Sequence, residues 1–469
     1  MRNMRNRMRK FIGDKQFYKM VLAVAVPIMI QNGITNFVSL LDNIMVGRVG
    51  TEEMSGVSIV NQLIFVFNLC VFGGVSGAGV FTAQFFGQKN NEGVRNTFRF
   101  KMIASVLITI IFTIAFLLFG EQLIELYLHD AEDGLDLVKT AKSAKEYLLI
   151  IIIGLIPFGI VQTYVSTLRE TGQTFLPMLA GMIAVFVNLI LNTILIFGNL
   201  GAPKLGVQGA AIATVASRFV ELLIVVIWTH KNKIKNAYIV GIYKTFKIPK
   251  ALAWKIIVKG TPLLLNEGLW AAGMATITQC YSLRGMSVVA ALNISSTIAN
   301  LFNVVFIALG CSVSIVVGQK LGAGEIEEAK DSAGKMIFFA VTSCIAVALV
   351  MVIVGRFFPY IYNVTDYVRE IAVGLIIITA CVMPMQAYLH ATYFTLRSGG
   401  KTLITFLFDS CYMWVIAIPF AFVLSRYTDL PILILYLLVQ LADSIKCIVG
   451  FILLRSGIWA NNIVAQDGE

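Results

Sequence analysis

Long apolar runs recur along the whole chain, near residues 18–46, 55–83, 101–120, 146–168, 176–198 and 207–229, then 255–280, 287–317, 335–355, 370–395, 402–424 and 431–454. Each reaches the ~20 residues that an α-helix needs to cross a bilayer core. The pattern predicts an all-α polytopic membrane protein with twelve transmembrane helices. Composition agrees: of 469 residues, 58% are hydrophobic and 13% charged, against roughly 25% charged in soluble domains. One or two globular cores cannot bury so many apolar positions. That excludes soluble enzymes, secreted disulfide scaffolds and disordered chains. The seven cysteines all lie in apolar stretches without a CxxC spacing, and read as small helix-packing residues.

The net charge of +11 is carried between the apolar runs, where it reports orientation rather than affinity for nucleic acid. Arg2, Arg5, Arg7, Arg9 and Lys10 precede the first run, which is too long for the apolar core of a cleavable signal. With the N-terminus inside, inner tails and loops hold 24 Lys and Arg and outer loops 9. The loop near 230–259 contributes eight lysines, whereas that near 120–145 collects Glu121, Glu125, Asp130, Glu132, Asp133 and Asp136. Both termini are therefore expected in the cytoplasm.

The chain is an internal repeat. A shift of 235 residues brings Pro27 onto Pro262, Gly33 onto Gly268, Gln84 onto Gln319 and Gly87 onto Gly322. Further on the shift is about 228, and Leu168-Arg169-x-x-Gly172-x-Thr174 meets Leu396-Arg397-x-x-Gly400-x-Thr402, with Arg218 meeting Lys446. Each copy holds six spans, so both enter the membrane in the same direction. Two six-helix lobes related by a pseudo-twofold axis along the membrane normal are expected. The division is an N-lobe over 1–229, a cytoplasmic basic linker over 230–254, and a C-lobe with a short tail over 255–469.

An ionisable residue inside a span is costly, so its partner is the first question. Five acids fall inside predicted spans: Asp42, Glu221, Glu267, Asp409 and Asp443. Glu221 follows Arg218 by three residues and Asp443 precedes Lys446 by three, so each reads as a structural pair along one helix face. Asp42, Glu267 and Asp409 have no basic residue within four positions. They must be neutral, bind a cation, or find a partner on another helix. Asn188 and Asn192 share one face of the fifth span, and amide oxygens are ligands for hard cations. Gln31, Asn32 and Asn36 thread the first span, while Pro27 and Pro262 each free a backbone carbonyl in the first helix of a repeat. Glu267 lies ~12 residues and Asp409 ~7 residues into their spans, or about 18 and 11 Å of rise from the same side. Tilted helices can bring them to one wall, where protonation and cation binding would compete; a shared proton stapling two helices is the plainer alternative.

Enzyme motifs are missing. Gly399-Gly400-Lys401-Thr402 resembles the end of a phosphate-binding loop, but Thr395 occupies the position of its first glycine. There is no G-x-S-x-G or H-E-x-x-H, and the three histidines, at 129, 230 and 390, are scattered. Such a chain is not a self-powered pump.

Over nearly its whole length the sequence resembles the multidrug and toxic compound extrusion family. The resemblance rests on Leu41-Asp42-Asn43-Ile44-Met45-Val46-Gly47-Arg48-Val49-Gly50, on Ala83-Gln84-Phe85-Phe86-Gly87, and on Leu168-Arg169-Glu170-Thr171-Gly172-Gln173-Thr174. The Asn188/Asn192 helix, Gly206-Val207-Gln208-Gly209-Ala210-Ala211 after it, and the second copy of LR-x-x-G-x-T extend it. It implies two six-helix lobes around a central cavity, and export of organic, often cationic, compounds against entering Na⁺ or H⁺. By the same resemblance Asp42, Asn188 and Thr214 match the N-lobe cation site. Asn192 stands where some members carry an aspartate, one charge fewer. Glu267 and Asp409 resemble acids of the C-lobe, and Lys401 stands where many relatives have an acid.

The sequence is thus read as a cation-coupled antiporter that exports small organic, cationic or amphipathic compounds by alternating access. Asp42, Asn188, Asn192 and Thr214 would form the N-lobe coupling site and Glu267 and Asp409 the C-lobe coupling or substrate site, supported by Gln31, Asn32, Asn36, Pro27 and Pro262. Its partners are small-molecule substrates and the bilayer, with no nucleic acid. It needs no cofactor beyond the coupling ion, and a monomer in a prokaryotic plasma (inner) membrane is expected. The rivals are a flippase for a lipid-linked precursor and a membrane-embedded enzyme. The flippase would line its cavity with basic residues, yet only Arg218 and Lys446 are read inside spans, and both have acid partners. The enzyme would need a nucleophile–base or metal cluster, which the sequence does not display.

Overall fold

A computed structural model describes residues 11–128, 136–362 and 364–465. The five basic residues Arg2 to Lys10 and the acids Asp130, Glu132 and Asp133 lie outside the described residues. Twelve long helices run through the described residues: α1 Lys15–Gly47, α2 Thr51–Gly87, α3 Asn91–Glu125, α4 Leu137–Glu170, α5 Phe175–Leu195 and α6 Gly206–Lys231, then α7 Lys250–Ser282, α8 Met286–Gly322, α9 Ile326–Phe357, α10 Asp366–Ser398, α11 Thr402–Tyr427 and α12 Ile432–Ser456. Eleven of them are long and apolar enough to cross a membrane by length and composition; α7 is long enough but carries Lys255, Lys259, Asn266 and Glu267. Helices satisfy every interior backbone group internally, which lipid demands.

The outward faces invert the soluble pattern. On α3, Leu107, Ile111, Ile114 and Leu118 form an exposed stripe at helical spacing, and Ile345, Leu349 and Ile353 do the same on α9. Small and hydroxyl residues take the inward faces. The Ser105 and Thr163 hydroxyls are 3.0 Å apart between α3 and α4, with Thr109 donating to the Ser105 carbonyl at 2.7 Å.

Packing divides the chain into two compact units. One comprises Ile30–Thr82 and Asn91–Ile257; the other comprises the stretch before Ile30, Ala83–Asn90 and everything from Val258. The chain passes between units within α1, just after Pro27, and within α7, just before Pro262, and both helices continue through their prolines.

The first unit is built on a core that includes Val60, Phe67, Val71, Tyr147, Leu155 and Ala211. Asp136, one of the acids of the 120–145 loop, is the N-cap of α4; its carboxylate accepts from the Val138 and Lys139 amides at 3.0 and 3.1 Å. The second unit holds separate clusters around Leu375, Leu435 and Ala421 and around Leu309, Val317, Ala333 and Leu396. Within it the repeat-related Gln-x-x-Gly segments meet each other: a methyl on Gly87 would strike the Gln319 carbonyl, and one on Gly322 the Gln84 carbonyl. Gln84 is fully buried. Its amide donates to Ser398 O (2.9 Å) and Asn461 O (3.1 Å) and accepts from Ile463 N (2.8 Å), which ties down the tail.

The two LR-x-x-G-x-T segments end α4 and α10 with the same turn. Gly172 and Gly400 adopt φ of +79° and +73°, the left-handed region that glycine enters without steric conflict. Gln173 N donates to Leu168 O at 2.7 Å, and Lys401 N to Leu396 O at 3.3 Å.

Candidate cation-coupling sites

Asp42 lies near the C-terminal end of α1, half-buried in the first unit. Asn188 and Asn192, one turn apart on α5, are both buried, and Asn192 Nδ2 donates to Asp42 Oδ1 at 2.7 Å and to Asn188 Oδ1 at 3.1 Å. Asn188 Nδ2 in turn donates to the Thr214 hydroxyl on α6 at 3.3 Å. The structure thus brings Asp42, Asn188, Asn192 and Thr214 into one hydrogen-bonded chain. Tyr147 of α4 is buried beside Thr214 and Asp42, a neighbour that no pattern in the sequence singles out. Arg218 is engaged on its own helix: Nη1 donates to Glu221 at 3.0 Å, as the three-residue spacing predicts, and its guanidinium sits 5.2 Å from the Phe158 ring centroid. Asn192 Oδ1 is buried without a hydrogen-bond partner. One carboxylate, two amide oxygens and a hydroxyl form the kind of all-oxygen set that hard cations prefer.

The second unit solves its buried acid differently. Asp409 Oδ1 accepts from Lys446 Nζ of α12 at 2.9 Å, and its Oδ2 accepts from Asn266 Nδ2 of α7 at 3.1 Å. Lys446 also lies 5.4 and 5.5 Å from the ring centroids of Phe408 and Tyr412. This corrects the expectation of a local Asp443–Lys446 pair. Asp443 accepts instead from Gln386 Nε2 at 3.0 Å, and the basic side chain turns to the acid on the neighbouring helix. Asp409 itself sits in a π-helical segment, Leu407–Cys411, followed by a second, Met413–Ala417. Such widened turns are frequent at functional sites. Ser410 hydroxyl donates to Asn266 Oδ1 at 2.7 Å, and Asn266 Nδ2 also reaches the Tyr393 hydroxyl at 3.3 Å. Glu267, half-buried, is within electrostatic reach of Arg397 and Asp409.

The repeat explains this arrangement. The 235-residue shift places Gln31-Asn32 on Asn266-Glu267, and the 228-residue shift places Gly181 on Asp409 and Arg169 on Arg397. In the first unit Gln31 Oε1 accepts from Arg169 Nη2 at 2.5 Å, and a methyl on Gly181 would lie 3.1 Å from Gln31 Nε2. The second unit's acids thus stand at positions that the first unit fills with the uncharged Asn32 and Gly181. Asp42 lies eleven residues beyond Gln31 on α1, or about 16 Å of helix rise. Asn32 is half-buried and Asn36 exposed on the same helix.

Sequence reading also missed a buried ion pair. Lys101, the first residue of the third apolar run, is fully buried on α3 and pairs with Glu170 of the repeated motif, donating also to the Ser166 hydroxyl at 2.9 Å and the Thr167 hydroxyl at 3.2 Å. With Arg397 also buried, Arg218 and Lys446 are not the only basic side chains in the helical interior. Among the described residues there is no group of three or more His, Cys, Asp or Glu side chains suited to holding a metal.

Comparison with known proteins follows the same outline. The family model MatE matches residues 27–194 and 262–423. A "Probable multidrug resistance protein NorM" of Thermotoga maritima is 24% identical, covering 88% of this chain and 87% of that protein. "Probable multidrug resistance protein YoeA" of Bacillus subtilis is 24% identical over 87% of each. Among solved structures, a MOP superfamily transporter from Pyrococcus furiosus, described as having a binding pocket of reverse polarity, superposes with a TM-score of 0.83 at 20% identity, covering 96% of this chain and 97% of that one. A MATE transporter in complex with MaD3S gives the same score, identity and coverage. At that identity the likeness is one of fold.

Proposed function

This chain belongs to the MatE family and is a membrane transporter rather than an enzyme, and on that footing we propose that it exports small organic, cationic or amphipathic compounds in exchange for an entering cation. The N-lobe cluster carries the reading: Asp42 is the one carboxylate among Asn188, Asn192 and Thr214, and Asn192 Oδ1 is left without a partner. A Na⁺ ion or a proton satisfies this site; the Na⁺ takes the oxygens, and the proton neutralises Asp42. Asp409 already has a cation, the Lys446 ammonium, so the C-lobe acts with an internal counter-ion and Glu267 faces the substrate. Alternating access then moves lobes 1–229 and 255–469 of a monomer about α1 and α7, whose prolines Pro27 and Pro262 lie within a few residues of the unit boundaries. Both termini face the cytoplasm, in keeping with the 24-to-9 charge split.

The multidrug names of the bacterial relatives support export over the flippase alternative. The test is uptake of a panel of organic cations into everted vesicles, with Na⁺ and pH gradients imposed separately. Accumulation driven by one gradient and lost in Asp42→Asn is expected. Accumulation that needs neither gradient would overturn the coupling.

A further inference from the structure

Between α6 and α7 the chain forms a lysine-rich segment held firmly against the first unit. Arg99 donates to the carbonyls of Ile242 (2.9 Å) and Gly241 (3.2 Å), and Arg95 to that of Tyr238 (3.1 Å). Tyr238, Ile239 and Ile242 are buried beneath it, and burial holds the Tyr238 phenol above its ordinary range. The segment is therefore a fixed surface.

That surface contains a cavity of about 420 Å³, lined by His230, Lys233, Tyr243, Lys244 and residues 239–242. His230 is locked in place: Nε2 lies 3.0 Å from the Tyr164 hydroxyl, and its ring stacks on Tyr243 with centroids 5.7 Å apart. Lys233 and Lys244 are exposed and form no ion pair among the described residues. No acid occurs anywhere between Glu221 and Glu267, a stretch that holds eight lysines. The residues that line the cavity thus include two lysines and no acid.

Its setting names the anion. The cleft lies just beyond the end of α6 at Lys231, a helix long and apolar enough to cross a membrane. Along this stretch of chain large apolar side chains are exposed among the lysines: Val240 of the lining is 50% exposed, Phe246 50%, Ile234 98% and Trp254 66%. A free phosphate has no use for these residues. A lipid does, because its acyl chains meet them while its headgroup meets the ammonium groups, as in interfacial segments of mixed basic and aromatic composition. We propose that the cleft binds the phosphate headgroup of an anionic glycerophospholipid between Lys233 and Lys244, with its chains against Val240 and Phe246.

The full-length protein in neutral detergent is titrated with short-chain phosphatidylglycerol, phosphatidylcholine and glycerol 3-phosphate, and lipid retention is read by native mass spectrometry beside the melting temperature. Phosphatidylglycerol should be retained over phosphatidylcholine by about tenfold or more. That preference should vanish in the Lys233→Gln/Lys244→Gln double variant with its lipid-free melting temperature unchanged. Equal retention of the two lipids, or a preference untouched by the double substitution, overturns the proposal. An equal response to glycerol 3-phosphate assigns the cleft to a soluble phosphate and overturns the lipid assignment. Should the double variant not fold, wild type decides. The preference must fall steeply with salt, since an exposed ammonium site is screened, and a salt-independent preference counts against the site.

Discussion

The two units answer one problem, a carboxylate inside a membrane helix, in opposite ways. In the first, Asp42 receives a neutral donor from Asn192, and Arg218 of α6 is spent on Glu221 of its own helix. In the second, Lys446, which the repeat places at Arg218, reaches across to Asp409 and forms the ion pair at 2.9 Å. A carboxylate held by a neutral amide is open to an exchangeable cation, whereas one held by an ammonium has its cation built in. The acids also sit at different levels, Asp42 being eleven residues beyond the position that matches Asn266. The repeated scaffold is kept while the charges stand at different positions in the two halves.

The contrast is broken most strongly at Asp42. Asp42→Asn should reduce gradient-driven transport in proteoliposomes by about tenfold or more, because the only charged ligand of the oxygen set is lost. Insertion and the detergent melting profile should stay near wild type.

Stability should show the reverse asymmetry. Lys446→Met strands Asp409 among Asn266 and the rings of Phe408 and Tyr412, and should destabilise by about 3–5 kcal/mol. Adding Asp409→Asn should recover much of that. The matching Arg218→Met also strands a buried acid, Glu221, but removes an arginine that is 37% exposed, so a smaller loss of about 1–3 kcal/mol is expected. Thermal or denaturant unfolding of the three variants checks both.

Asn192→Asp sharpens the first site. It supplies a second carboxylate at Asp42, and cation affinity should rise by about tenfold through the added ligand charge. Equilibrium Na⁺ binding on purified protein measures it. The smallest effects are at the repeated turns: Gly172→Ala, with open space at the added methyl, should cost about 1 kcal/mol for the left-handed backbone alone, and Gly400→Ala more, because its methyl also presses on the Ile463 side chain. Equal losses would show that Ile463 yields to the methyl.

Much of this was legible in the sequence. Apolar run length gave the twelve helices, and the two LR-x-x-G-x-T segments, read as copies of one repeat, prove to end in like turns whose glycines take positive φ. Helical spacing brought Asn188 and Asn192 to one face, and it forecast the Arg218–Glu221 pair correctly. The same spacing rule failed for Asp443 and Lys446. A three-residue separation makes a pair available, but the long lysine chain chose Asp409, where two aromatic rings and a less solvated carboxylate reward it more. Lys101 was hidden for a related reason: its partner Glu170 lies 69 residues away, and no local pattern reports such a contact. The repeat offset itself held the missing clue, since aligning Lys446 with Arg218 and Asn266 with Gln31 marks where the halves diverge.

The central claim is that the exchangeable cation binds at Asp42 while Asp409 keeps Lys446. Isothermal titration of Na⁺ into purified protein, with proton release followed across pH in the same samples, addresses it directly in wild type, Asp42→Asn and Asp409→Asn. The account predicts that Asp42→Asn abolishes cation-linked heat and proton exchange and that Asp409→Asn retains both. Loss in Asp409→Asn with retention in Asp42→Asn would contradict it.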